Sequence, residues 1–99
     1  MDILKTEVFD KWFAALKDRQ GRALIQAKID RLEVTLLGDF KPVGQGVQEI
    51  RIFNGPGYRI YFKRYGETLV ILLAGGDKST QRKDIKLAKS LAKQLETLP

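Results

Sequence analysis

Apolar residues in the first third of the chain recur at helical spacing. Phe9, Trp12, Phe13 and Leu16 stand at i, i+3, i+4 and i+7, with Asp10, Lys11, Lys17 and Asp18 on the other side. That pattern is the buried stripe of an amphipathic helix. At this spacing Trp12 and Phe13 read as core rather than as ligand-stacking rings. Gln20-Gly21 is expected to end the helix. A second helix then runs from about Arg22 to Leu37 on the stripe Ile25, Ile29, Leu32 and Leu36, and Gly38 is placed for a left-handed C-terminal cap. Two helices joined so tightly form an antiparallel hairpin. Ahead of them, residues 3–8 (ILKTEV) alternate in part and read as a first strand.

From residue 47 the period becomes two. Residues 39–46, DFKPVGQG, carry Pro42 and two glycines and read as loop. In Val47–Phe53, Ile50 and Ile52 lie on one face, and Glu49 and Arg51 on the other. Asn54-Gly55-Pro56-Gly57 is a turn. In Tyr58–Tyr65, Ile60 and Phe62 share one face, and Arg59, Tyr61 and Lys63 share the opposite one. Gly66-Glu67 closes a second hairpin. Leu69–Ala74 is apolar throughout, as in a central strand covered on both sides, and Gly75-Gly76-Asp77 ends it. A last helix is expected from Ser79 or Thr80, with either hydroxyl as N-cap, to Leu95. It buries Ile85, Ala88, Leu91, Ala92 and Leu95 and exposes Lys86, Lys89 and Lys93. The order β-α-α-β-β-β-α predicts an α+β fold, a mainly antiparallel sheet packed on a helical hairpin and a C-terminal helix. With 99 residues and no repeat or linker, residues 1–99 are expected to form a single domain.

Charge changes the picture. The net +6 is unevenly placed: residues 1–40 hold seven Lys/Arg and seven Asp/Glu, while residues 41–99 hold eleven and five. The excess lies on the sheet and the last helix. Such asymmetry points to nucleic acid, an acidic protein or an anionic surface, against the plainer reading of solubilising surface charge. The N-terminus, MDILKTEVFDKW, has no basic n-region and no long apolar run, and no stretch of 18 apolar residues occurs. No membrane partner is therefore expected, and the absence of cysteine suits the cytoplasm.

Without His or Cys, the chain has no Ser-His-Asp triad, no Cys-His pair and none of the usual zinc ligands. Glu49, Glu67, Asp77 and Asp84 are too dispersed to suggest a carboxylate magnesium site, and neither glycine cluster continues as a dinucleotide fingerprint. No metal and no cofactor are expected. The remaining chemistry is cationic. Arg51 and Arg59 fall on adjacent hairpin strands with Tyr61 and Lys63 near, and like charges so placed repel unless an anion lies between them. The competing reading is that Glu49 pairs with Arg59 or Lys63. Lys78, Arg82 and Lys83 surround the start of the last helix, where free N–H groups favour a phosphate, and Asp77 and Asp84 partly offset them.

The segments GVQEIRIFNGPGYRIYF and LLAGGDKSTQRKDIKLAKSLA resemble the RelE/ParE superfamily of toxins from bacterial type II toxin–antitoxin modules. Within it, the likeness is to the addiction-module killer proteins related to HigB-type toxins. The WF…L-D…A…I-x-R-L helical half also fits, so the resemblance spans almost the whole chain. It implies the β-α-α-β-β-β-α fold and the role of toxin. RelE-like members cleave mRNA, usually in the ribosomal A site, whereas ParE-like members inhibit DNA gyrase. Tyr58-Arg59 matches a motif whose arginine acts on the scissile phosphate in RelE-type toxins, and Arg51 occupies the matching face of the preceding strand. Lys78, Gln81 and Arg82 fall where such toxins carry their C-terminal active-site residues. RelE-type enzymes often place a catalytic Tyr or His there, and this chain has Gln81 and no aromatic.

The implied activity is a ribosome-dependent, metal-independent mRNA endoribonuclease that blocks translation. Arg59 and Arg51 would stabilise the phosphorane, and Lys78 would hold a neighbouring phosphate or protonate the leaving oxygen. Glu49 or Tyr61 is the candidate base, and Lys63, Gln81, Arg82 and Lys83 are candidate phosphate ligands. The implied partners are a cognate antitoxin, mRNA and the ribosome. The antitoxin would lay an acidic or amphipathic segment across the basic groove or against the helices. The alternatives are a non-enzymatic gyrase inhibitor and an inactive nucleic-acid-binding homologue.

Overall fold

A computed structural model of the chain describes residues 2–34, 40–52 and 55–96. The expected Leu36, Leu37 and Gly38 at the end of the second helix, Phe53 at the end of its strand and Asn54 at the start of the turn lie outside the described residues. The first strand, β1, is Asp2–Lys5 and stops earlier than its alternation suggests. Thr6 is the reason. Its hydroxyl oxygen accepts from the Phe9 N–H at 3.0 Å and donates to the Leu73 carbonyl at 2.6 Å, so it caps α1, Glu7–Ala15. The second helix, α2, is Arg19–Val34. Gly21 does not break a helix. It lies inside α2, buried, because a Cβ there would stand 2.5 Å from the Tyr58 ring.

Residues 40–44, expected as loop, form a strand, β2 (Phe40–Gly44), antiparallel to β3 (Val47–Ile52). Pro42 and the flanking glycines obscured it, but β2 is an edge strand with a register irregularity between Pro42 and Gly44, and edges and bulges both tolerate proline. Next come β4, Tyr58–Tyr65, and β5, Leu69–Gly76. A 3-10 turn, Lys78–Thr80, leads into α3, Gln81–Glu96. The sheet order is β1-β5-β4-β3-β2, with β1 parallel to β5 and the other pairs antiparallel. The described residues thus form an α+β fold with a five-stranded, mostly antiparallel sheet and three helices.

The period of two sorts side chains onto two cores. Ile50, Ile52, Ile60, Phe62 and Leu72 meet Phe9 of α1 and Ile25 and Ile29 of α2, with Trp12 and Phe13 packed against them. On the other face Val47, Tyr61, Leu73 and Ala74 meet Ala88 and Ala92 of α3. Leu72 and Leu73 therefore point into different cores, which explains why β5 is apolar at every position. Gly75 and Gly76 continue β5 rather than ending it. A Cβ on Gly75 would lie 2.3 Å from the Trp12 ring, and one on Gly76 would lie 1.8 Å from Asp84 Oδ2.

Candidate phosphate-binding cleft

Strand pairing sets the site. Arg51 on β3 lies in register with Arg59 on β4, and Arg59 in turn lies in register with Gly76 on β5. Because β5 runs straight into the 3-10 turn, Lys78 and Gln81 are carried over the same corner of the sheet. Arg51, Arg59, Lys78 and Gln81 line one cleft of about 480 Å³, with Ile52, Tyr58 and the Gly55-Pro56-Gly57 turn as its remaining walls. Four of the nine expected site residues are thus brought together.

Beneath the cleft lies Glu49, which is 1% exposed. Its Oε1 accepts from Arg51 Nε at 3.0 Å, its Oε2 accepts from Gln81 Nε2 at 2.9 Å, and Arg59 Nε stands 3.7 Å from Oε2. One carboxylate is therefore shared by two arginines, and Lys63 takes no part. Burial alone would raise the Glu49 carboxyl. Hydrogen bonds from Arg51 and Gln81 outweigh it and hold the group below the usual carboxylate range, and the nearby Tyr61 hydroxyl adds to this although its geometry falls short of a well-formed bond. Arg59 is 8% exposed and donates Nη1 to the Gly57 carbonyl at 3.1 Å, so the turn fixes the guanidinium that the strand delivers.

Tyr61 differs from expectation. It has no exposed surface and packs in the α3-side core, where burial, with Glu49 beside it, pushes its phenol well up. A buried phenol kept protonated neither touches a substrate nor acts as a base. Lys63 also stands apart. It lies four residues along β4 from Arg59, about 13 Å at strand rise, and pairs with Glu96 of α3. Arg82 and Lys83 are exposed on the first turn of α3 and do not line the cleft.

Neither Ser79 nor Thr80 caps the 3-10 turn that leads into α3. Asp77 does it, accepting from the Ser79 N–H at 2.8 Å and the Ser79 hydroxyl at 2.5 Å, while the Thr80 hydroxyl returns to the Asp77 backbone. The Ser79 hydroxyl, more than the neighbouring Arg59 charge, holds the Asp77 carboxyl low. Thr80 also donates to Asp84 Oδ2 at 2.5 Å. Asp84 is buried against Gly76, and burial raises its carboxyl above the usual range. Sequence reasoning missed Asp84 and the turn backbone of residues 55–57. The doubled glycine at 75–76 was the available signal for the first.

The chain is similar to known proteins along most of its length. A family model described as phage derived protein Gp49-like (DUF891) matches residues 11–95. An uncharacterized protein of Haemophilus influenzae is 50% identical over 95 residues, 96% of each chain. No helix among the described residues is long and apolar enough to cross a membrane.

Proposed function

Because the chain belongs to the Gp49-like phage-derived family, a RelE/ParE-like, toxin-type family, we propose that it is the toxin of a toxin–antitoxin pair and cuts mRNA on the ribosome without a metal. The observation that supports this reading best is the sharing of Glu49 by Arg51 and Arg59 in a cleft that also takes Lys78. Two guanidiniums and an ammonium set against one buried carboxylate leave net positive charge fixed in place before substrate arrives. Preorganised donors of this kind stabilise the charge that develops on a phosphorane.

In this mechanism the ribose 2′-oxygen attacks its own phosphorus and the P–O5′ bond breaks, leaving a cyclic phosphate and a 5′-hydroxyl. Arg59 and Arg51 neutralise the equatorial oxygens, and Lys78 protonates the leaving 5′-oxygen. Glu49 positions both arginines and is not the base, since it is buried beneath the cleft and its hydrogen bonds from Arg51 and Gln81 turn it toward them. The 2′-proton leaves to water or to a group of the ribosome, and holding the RNA in place supplies much of the acceleration. The antitoxin partner masks this cationic cleft.

A second reading, a ParE-like inhibitor of DNA gyrase, is favoured by one observation: neither Glu49 nor Tyr61 is free to act as a base. Induced expression with mapping of transcript 5′ ends separates the two. Translation-coupled cuts that fall by about 10²–10³ in Arg59→Ala are expected. Intact mRNA together with DNA-damage signalling would select the gyrase reading.

A further inference from the structure

Between α1 and α2, Asp18 serves two elements at once. Its Oδ1 accepts from the Gly21 N–H at 3.0 Å and its carbonyl accepts from the Arg22 N–H at 2.9 Å, which caps the start of α2. Its Oδ2 accepts from the Tyr58 hydroxyl at 2.9 Å. The cleavage chemistry above uses neither Asp18 nor the Tyr58 hydroxyl. The alternation of β4 sends the Tyr58 ring into the core under the helical hairpin, where it crosses Trp12 at 68° with ring centres 6.3 Å apart. The next residue, Arg59, faces the cleft. A Cβ on Gly55 would stand 3.9 Å from Asp18 Oδ2, so the carboxylate also reaches the turn.

That turn orients Arg59. Glu49 attracts the guanidinium but stands 3.7 Å from its Nε, beyond hydrogen-bond reach. The directional bond runs from Arg59 Nη1 to the Gly57 carbonyl. Gly57, Tyr58 and Arg59 are consecutive, so a shift of Tyr58 moves both donor and acceptor. The bond that holds Tyr58 is a phenol donating to a carboxylate. The Gly21 N–H, and after it the Tyr58 hydroxyl, keeps the Asp18 carboxyl below the usual range, while burial, with Asp18 beside it, pushes the phenol up. Hydrogen bonds to an ionised partner are about twice as strong as neutral ones.

We propose that Asp18 and Tyr58 are positioning residues for Arg59: their hydrogen bond ties the Gly55-Pro56-Gly57 turn to the helical hairpin and so keeps the guanidinium aimed into the cleft. The phosphate that Arg59 meets there is taken from the reading above, but the brace does not require that it be cut.

The test follows the Arg59 Nε–H signal of the full chain by NMR, assigned with Arg59→Lys. Tyr58→Phe keeps the ring and the cap of α2 and loses the hydroxyl alone. With its fold checked by circular dichroism, its Arg59 order parameter is expected to fall from about 0.85 to below about 0.6. Asp18→Ala should loosen Arg59 as far, and adding Tyr58→Phe to it should loosen Arg59 no further. The control Tyr65→Phe, which removes the hydroxyl that donates to the Ala92 carbonyl from the other end of β4, is expected to leave the signal unmoved. An Arg59 signal unchanged in Tyr58→Phe, or changed equally in Tyr65→Phe, overturns the proposal. With purified ribosomes and a short mRNA, Tyr58→Phe is expected to lower kcat about tenfold with little change in KM. In an Arg59→Ala background it should cost nothing further, because it acts through Arg59. A kcat kept at the wild-type value, or equal losses in both backgrounds, also overturns the proposal. If Arg59 loosens as expected while the wild type cuts no transcript, the brace stands and the cleavage reading falls.

Discussion

Strand β4 carries a cation on the α3 face near each end, and the two are treated differently. Arg59 is nearly buried and shares Glu49, itself buried, with Arg51. Lys63, four residues on, pairs with Glu96, whose side chain is half exposed, and lies over the Tyr65 ring at 5.3 Å. Both pairs join opposite charges. Only the first is out of water, so only there does losing a partner leave a charge with nothing to solvate it. The comparison teaches that burial, more than the presence of an ion pair, makes a charge rigid enough to aim at a substrate.

Glu49→Ala is the hardest test, since it strands the buried Arg59 guanidinium and also releases the partly exposed Arg51. A loss of about 3 kcal/mol in unfolding free energy is expected, measured by chemical denaturation. A loss no larger than that of an exposed pair would remove the basis of the comparison. Gly76→Ala comes next. The new methyl would meet the Asp84 carboxylate, and overpacking of this kind costs about 2 kcal/mol. The double variant with Asp84→Ala should recover much of that loss, and additivity of the two changes would show that the contact does not matter.

Asp84→Asn probes the cleft end by pH. Burial raises the folded carboxyl above its usual 3.8. The folded state therefore holds this proton more tightly, and the stability it contributes declines as pH climbs from 3.8 through the raised value. Asn removes that decline, so the variant should be the more stable at neutral pH, with the advantage vanishing below pH 3.8. An advantage independent of pH would mean that the carboxyl does not titrate as described. The smallest effect belongs to Lys63→Ala, about 0.5 kcal/mol, lessened further by salt. A cost that matches Glu49→Ala would break the comparison from its other side.

Much of this was legible in the chain. The helical stripe from Phe9 to Leu16, the alternation in β3 and β4, the unbroken apolar run of β5 and the placing of Arg51 and Arg59 on adjacent hairpin strands all follow from local periodicity, and periodicity reports which face is buried. β2 was not legible. Its edge position releases it from the apolar alternation that marks inner strands, and Pro42 mimics a loop. Gly21, Gly75 and Gly76 read as breakers, but they serve close approach to Tyr58, Trp12 and Asp84, partners from 8 to 63 residues away in sequence. The N-cap at Asp77 was missed because Ser79 and Thr80 satisfy the same rule and only the observed backbone chooses among them.

Sequence alone determined the order of every element but β2, the two buried faces and the excess of cations in the second half of the chain, because each depends on residue type and spacing. Tertiary structure decided that Glu49 serves two arginines, that Tyr61 is sealed in a core and that Lys63 belongs to a different corner. Those outcomes depend on strand register and on where α3 lies across the sheet. Both are set by packing between residues distant along the chain, which no local pattern encodes.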